Sequence, residues 1–358
     1  MRSPGAALSV ESLVLDDLRP GEVLVRVVAT GVCHTDVSCR AGTIPIATPV
    51  VLGHEGAGIV EAVGAGVPGL RPGDRVAMTF GSCGACRACT HRLPSYCDDA
   101  VALNLTGNRP DGTSAYRGAG VRSHYFGQSS FATHSVVPHR NLVPVPDDVD
   151  LGIVGPLGCG IQTGAGTVFT TLDLSPGATL VVFGAGAVGL AAVMAAAVRE
   201  VGTVIVVDLH PARLELAREL GATHVVNARD ADPVAVVREL TGGGAGFSIE
   251  ASGSPAALGP AVDCLGLRGV CAVAGAWGPA SAPALNWRHI RTRAISIRGV
   301  SEGDAVPAEL IPALLDLHRA GRFPFEALIT YFDLPDIGSA FAAAESGAAI
   351  KPVVRMPA

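Results

Sequence analysis

Apolar and polar positions alternate with a short period up to Asp150, and the rhythm then changes. Val23–Ala29, with its charges at Glu22 and Arg26, reads as a strand. Gly53–Val63 is glycine-spaced and then alternates, as a strand leaving a tight turn does. Arg71–Val76 is a Pro-Gly-Asp turn feeding another strand, and Phe131–Val137 resumes strand character. Ser9–Leu15 is read as a further strand after a turn. Pro144–Asp150 closes this stretch with a Pro/Asp-rich turn, so the first domain is predicted to be β-rich and barrel-like. Inside it, Asp98–Gly127 is a long irregular stretch rich in Asn, Gly, Asp and Ser, a kind of loop that is usually functional or disordered.

From about Ile161, strand and helix patterns alternate. Strands are predicted at Thr179–Phe183, Val204–Asp208, His224–Asn227, Phe247–Ala251, Gly269–Gly275 and Ala294–Gly299. Helices are predicted at Ala187–Arg199, Pro211–Leu220, Pro233–Leu240 and Ala256–Leu265, with Pro211 at a helix start. This is the signature of a doubly wound parallel sheet. Helices at Pro307–Ala320 and Pro335–Ser346 and a strand at Lys351–Arg355 do not extend the alternation, and so are expected to return to the first domain. The fold class is α/β, with no internal repeat.

Composition narrows the function. The 358 residues are 49% apolar and 16% charged, enough for two domains with real cores. Forty-five glycines suit tight turns and close backbone packing. A net charge of −6 argues against a nucleic-acid surface, which needs clustered Lys and Arg. The densest basic cluster, Arg288, Arg291, Arg293 and Arg298, reads as a solvated turn. No signal peptide is visible, and the longest apolar run, Ala187–Val198, is too short to span a bilayer. The expectation is a cytoplasmic enzyme with no membrane partner, in which nine cysteines point to metal or catalysis before disulfides.

Gly184-Ala185-Gly186-Ala187-Val188-Gly189 follows an apolar strand and opens an Ala-rich helix, and Asp208 ends the next strand 19 residues after the last glycine. That context makes it a dinucleotide fingerprint, with the phosphates facing the helix N-terminus. Asp208 can accept hydrogen bonds from ribose hydroxyls and would repel a 2′-phosphate, which favours NAD over NADP. Arg213 is a candidate second ribose contact.

Cys83, Cys86, Cys89 and Cys97 lie on one short polar loop and form a four-thiolate set fit for a structural zinc. Cys33, His54 and Cys159 would supply two thiolates and an imidazole, a catalytic zinc set with a fourth position open. The bland alternative for each is buried filler. Asp36 is placed to orient the imidazole, and Glu55, beside His54, is expected to tune the site or sit close to the metal. Cys39, Cys264 and Cys271 read as packing residues.

Gly31-Val32-Cys33-His34-Thr35-Asp36, Gly53-His54-Glu55, Arg71–Val76, the four-cysteine loop, Gly158-Cys159-Gly160 and the glycine fingerprint together resemble the zinc-dependent medium-chain alcohol dehydrogenases, over almost the whole chain. The resemblance implies a GroES-like catalytic domain (residues 1–160, with the structural zinc loop at 83–97, and 302–358) around a Rossmann NAD-binding domain (161–301), with the active site in the cleft between them. It implies two zinc ions per chain and NAD, and a homodimer or homotetramer. Thr35 resembles the hydroxyl that takes the substrate's proton, and His34 the side chain near the pyrophosphate. Thr163 resembles the threonine packed on the nicotinamide, and Lys351 a basic pyrophosphate contact. Within the family, the stretches at Met78–Cys83, Phe126–Thr133 and Gly155–Gly164 are similar to the aryl (benzyl) alcohol dehydrogenase branch, whose members also accept allylic and terpenoid alcohols. Phe80 and Phe131 are candidates for the pocket wall.

Two departures stand out. Ser38 occupies the place where many relatives carry a proton-relaying histidine, and Met1 falls at or just after the end of the strand that usually opens the family's chains. The expected activity is reversible, NAD-linked oxidation of a primary aromatic or allylic alcohol to its aldehyde. The alternatives are a polyol or glutathione-adduct dehydrogenase on the same scaffold, or a non-catalytic zinc and nucleotide-binding redox sensor.

Overall fold

The computed structural model describes residues 1–118, 120–275 and 283–357. They divide into two compact units, one of residues 1–159, 306–315 and 326–358, the other of residues 160–305 and 316–325.

The first unit begins with strands β1 (Glu22–Gly31), β2 (Gly56–Val63), β3 (Arg75–Met78), β4 (His134–Pro138) and β5 (Leu142–Pro144). In β1, Val23, Val25 and Val27 turn inward onto Val60, Val76, Met78 and Val137, while Arg26 faces out. Each such fully buried aliphatic side chain contributes about 1.5–3 kcal/mol. Two register shifts between β1 and β2, at Leu24/Val25 and Val27/Ala29, bend the pair.

The second unit holds β6 (Thr179–Phe183), β7 (Thr203–Asp208), β8 (His224–Asn227), β9 (Ala245–Glu250), β10 (Leu265–Val273) and β11 (Ser296–Gly299). They form a parallel sheet in the order β11-β10-β9-β6-β7-β8, a Rossmann arrangement whose order reverses between β6 and β9. Central β6 is buried on both faces, with Leu180, Val181 and Val182 at 0% exposure, which is why it reads as an unbroken apolar run.

The chain returns to the first sheet with β12 (Ile329–Asp333) and β13 (Lys351–Arg355). That sheet runs β12-β13-β1-β2-β3-β5, with β4 also on β1. Antiparallel β4 covers Glu22–Arg26 of β1 and antiparallel β13 covers Ala29–Gly31. A second apolar cluster joins Val32, Cys39, Val50, Leu52 and Tyr125 to Ile337, Ala340 and Phe341 of the helix Ile337–Ser346. It fixes the short helix His34–Ala41 against the sheet.

Several local expectations differ from the structure. Ser9–Leu15 is not a strand; Leu15 makes a single isolated bridge to Tyr116. Asp98–Gly127 contains a helix, Ala100–Leu105, and a 3-10 turn, Tyr125–Gly127. Arg288, Arg291 and Arg293 lie on an exposed helix, Trp287–Arg293, capped by Asn286, and not in a turn. Cys39, Cys264 and Cys271 are buried in apolar clusters. Among the described residues no helix is long and apolar enough to cross a membrane.

Candidate metal and cofactor sites

In the first unit, donor atoms of Cys33, His54, Glu55 and Cys159 all lie within 4.8 Å of one another. Local rules bring them there. Cys33 is the N-cap of the helix His34–Ala41, so its sulfur sits at the positive end of the helix. Asp36 closes that helix by accepting from the Cys33 N–H at 3.0 Å through Oδ2. Its other oxygen, Oδ1, meets His54 Nδ1 at 3.1 Å and the Gly53 N–H at 3.2 Å. One buried carboxylate thus caps the helix and turns the imidazole.

His54 is 1% exposed, and its Nε2 is buried with no hydrogen-bond partner of ordinary geometry among the described residues. A buried imidazole nitrogen left this way is costly unless a further group uses its lone pair or proton. With the two sulfurs beside it, the donor set fits a metal that takes N and S ligands.

Electrostatics agree. The Cys33 thiol is held well below its usual range by its hydrogen bond to Cys159, with burial opposing and His54 and Lys351 assisting. Burial works against an imidazolium at His54, yet Asp36 and Cys33 hold it well above the usual histidine range. The pocket favours thiolate beside positive charge.

Glu55 faces inward as well, but its carboxylate receives Lys351 Nζ at 2.8 Å on both oxygens. The pair is 0% and 3% exposed, and Nζ also donates to the Val32 carbonyl at 3.4 Å. Burial lowers and Glu55 raises the Lys351 ammonium, which ends above its usual range. Burial pushes the Glu55 carboxyl up, against the pull of Lys351. A Cβ at position 31 would lie 2.0 Å from Glu55 Oε2, so a larger residue there would have to displace the carboxylate from Lys351.

Thr35 and His34 begin the same helix. Thr35 Oγ1 lies 3.7 Å from Cys33 Sγ at a half-buried position, and His34 is exposed. Phe131 packs edge-on against Phe341, with ring centroids 5.6 Å apart, beside the second apolar cluster, and Phe80 is 6% exposed.

The four-cysteine loop closes on itself. The Cys83–Cys89 and Cys86–Cys97 sulfur pairs are 4.0 and 3.9 Å apart, far beyond a disulfide bond. Four sulfurs about 2.3 Å from a tetrahedral centre would lie about 3.8 Å apart, so the spacing fits zinc. Backbone N–H donors from Cys89 and Asp98 bring the Cys86 thiol down to about 6, while burial pushes Cys97 up to about 12.

In the second unit, Gly184 ends β6 with φ +101°, and the helix Ala187–Val198 starts at Gly186 without a side-chain cap. A Cβ on Gly186 would meet nothing within 4 Å, whereas one on Gly189 would strike the Gly184 carbonyl at 1.8 Å. The first leaves room for a ligand over the Ala187–Val188 turn, and the second lets helix and strand close. The residues fit a dinucleotide. Asp208, at the tip of β7, accepts from the Ala185 N–H at 2.6 Å through Oδ2, and from Leu209 and His210 through Oδ1. Arg213 is half-buried on the following helix. Thr163, 7% exposed on the helix Gly160–Gly166, lies 3.4 Å from Glu302 Oε2 through Oγ1.

Two contacts to His54 went unread in the sequence. Phe126 stacks on its ring, and Gln128 donates from Nε2 to its carbonyl at 2.7 Å. Phe126 sits in the long irregular stretch and Gln128 just past its end, where neither period nor spacing marks a partner.

Residues 19–147 match the alcohol dehydrogenase GroES-like domain family and residues 187–319 the zinc-binding dehydrogenase family. The chain is 44% identical to a geraniol dehydrogenase of Castellaniella defragrans over 358 residues, covering 99% of this chain and 96% of that protein. The crystal structure of benzyl alcohol dehydrogenase from Acinetobacter calcoaceticus superposes with a TM-score of 0.97 at 41% identity, covering 99% of this chain and 98% of the other. An alcohol dehydrogenase zinc-binding domain protein from Burkholderia ambifaria matches with a TM-score of 0.97 at 45% identity, covering 100% and 97%. The chain belongs to the zinc-dependent medium-chain alcohol dehydrogenases and is an alcohol-oxidising enzyme.

Proposed function

We propose that this enzyme oxidises primary aromatic or allylic alcohols reversibly to aldehydes with NAD, holding two zinc ions per chain. The observation that carries the reading is the gathering of the Cys33, His54 and Cys159 donor atoms within 4.8 Å of one another, with His54 Nε2 buried among them. Cys33, His54 and Cys159 would hold the catalytic ion, and Cys83, Cys86, Cys89 and Cys97 the structural one. When bound, zinc supplies Lewis acidity toward the alcohol oxygen and NAD takes up the hydride.

The chain's own residues do the rest. Thr35 accepts the hydroxyl proton on Oγ1 and hands it to water or to exposed His34, since Ser38 offers no imidazole. Asp36 keeps His54 in one orientation. The Glu55–Lys351 pair keeps its charges inside the protein and off solvent. Gly184, Gly186 and Gly189 admit the pyrophosphate to the N-terminus of the helix at Ala187 and Val188, and Asp208 receives the adenosine ribose. The names of two relatives, geraniol and benzyl alcohol dehydrogenase, support an alcohol whose carbinol carbon adjoins a π-system.

Metal analysis together with a panel of benzyl, cinnamyl, geranyl and short aliphatic alcohols tests this. The expected result is two zinc ions per chain and turnover of the π-activated alcohols with NAD. Cys159→Ala should abolish turnover and keep NAD affinity. One ion in the parent chain, confined to the four-cysteine loop, would sink the reading.

A further inference from the structure

The imidazole of His54 and its backbone are gripped by three residues of the stretch 125–128. Phe126 lies over its face, with ring centroids 4.5 Å apart and planes 27° from parallel. Tyr125 meets it edge-on at 5.5 Å and 85°. Gln128, 0% exposed, holds the backbone on either side, donating to the His54 carbonyl at 2.7 Å and accepting from the Gly56 N–H at 3.2 Å.

Phe126 reaches this position in a left-handed conformation, φ 51° and ψ 33°, that bulky side chains seldom adopt. Surrounding bonds impose it. Asn141, 2% exposed, donates from Nδ2 to the Phe126 carbonyl at 3.2 Å. The N–H groups of Gln128 and Ser129 both reach the Tyr125 carbonyl at 3.0 Å, and Ser129 Oγ accepts from the Tyr125 N–H at 3.1 Å. A helical or extended Phe126 would carry its ring elsewhere. Strain of this kind persists where the structure has a use for it.

Asp36 contacts the imidazole through a single hydrogen bond at Nδ1, about which the ring can still rock. An aromatic face at stacking distance blocks that rocking. We propose that Phe126 is a positioning residue for His54: its left-handed backbone exists to lay a ring against the imidazole and hold Nε2 toward Cys33 and Cys159. The inference rests on reading those three residues as metal ligands. It assigns Phe126 to the metal site, where a residue of its type and half-buried position would otherwise pass as a wall of the substrate pocket.

The test uses the full chain loaded with cobalt(II), with the four-cysteine site as an internal reference. Phe126→Gly removes the ring and adopts the left-handed backbone freely. Should it not fold, Phe126→Asn, which also tolerates that conformation, replaces it. Metal transfer to a chelator should become at least roughly tenfold easier from the Cys33–His54–Cys159 site and stay unchanged from the four-cysteine site. The ligand-field bands of the first site should shift, and Phe126→Tyr, which keeps the ring face, should restore the parent spectrum and retention. Unaltered bands and metal retention in the ring-deleted variant overturn the inference, as does a raised KM for alcohol with the metal untouched. A parent chain that takes up cobalt only at the four cysteines overturns the ligand assignment itself, and this inference with it.

Discussion

The carboxylate of Asp36 binds the His54 ring at 3.1 Å and the Cys33 N–H at 3.0 Å, tying two candidate ligands that lie 21 residues apart to one buried anion. Asp36→Asn keeps the shape and loses the charge. Metal affinity at the Cys33 site should fall roughly 10- to 100-fold, as for other groups that orient a ligating imidazole. Asp36→Ala should in addition cost about 1 kcal/mol through loss of the helix cap. Chelator competition and thermal unfolding separate the two effects; metal retention equal to the parent's in both variants would remove Asp36 from the site.

Asp208 bears on cofactor choice. Its carboxylate sits where the strand β7 ends and is already anchored to the glycine loop through Ala185. Asp208→Ser removes the charge that would repel a 2′-phosphate, so the ratio of kcat/KM with NAD to that with NADP should fall by at least about tenfold. An unchanged ratio would take Asp208 out of the cofactor site.

These two carboxylates mark what a sequence shows well. Glycines, cysteines and an acidic strand end carry chemistry in their residue type, so the glycine turn and the candidate sulfur donors are legible in the sequence. The parallel sheet was legible too, because buried strands such as Leu180–Phe183 need an unbroken apolar run. Ser9–Leu15 misled because alternation shows only that a segment suits a ladder; whether a partner strand lies alongside is decided far away in the chain. Ile329–Asp333 escaped for the converse reason. It is an edge strand with exposed Tyr331, and among the described residues its one strand partner is β13. The stack of Phe126 on His54 depends on a left-handed residue held by Asn141, and no period announces that.

His124 gives the protein an acid sensitivity of its own. Burial lowers its pKa to about 4, against the pull of Glu22 and with Arg109, Arg19 and Asp111 as the other nearby charges. The unfolded chain titrates near 6.5, so between about pH 6.5 and 4 it binds the proton that the folded chain refuses. Stability therefore falls as pH drops through that window, by up to about 3 kcal/mol from this residue. Replacing it by His124→Asn should flatten the pH dependence of urea unfolding above about pH 4.5, below which Glu22 adds its own loss. Parallel curves for parent and variant across the window would refute the assignment.

Lys351 and Glu55 form a fully buried pair whose removal from one side should be far worse than removal from both. Lys351→Met leaves the Glu55 carboxylate inside the protein with its main counter-charge gone, a change expected to cost about 3–5 kcal/mol. Adding Glu55→Gln removes the stranded charge and should recover most of that loss, because an uncharged amide beside an apolar chain carries no uncompensated ion. Urea unfolding of the two single variants and the double variant closes the cycle. A double variant no more stable than Lys351→Met would mean that the ammonium acts through its hydrogen bond to the Val32 carbonyl and not through its charge on Glu55.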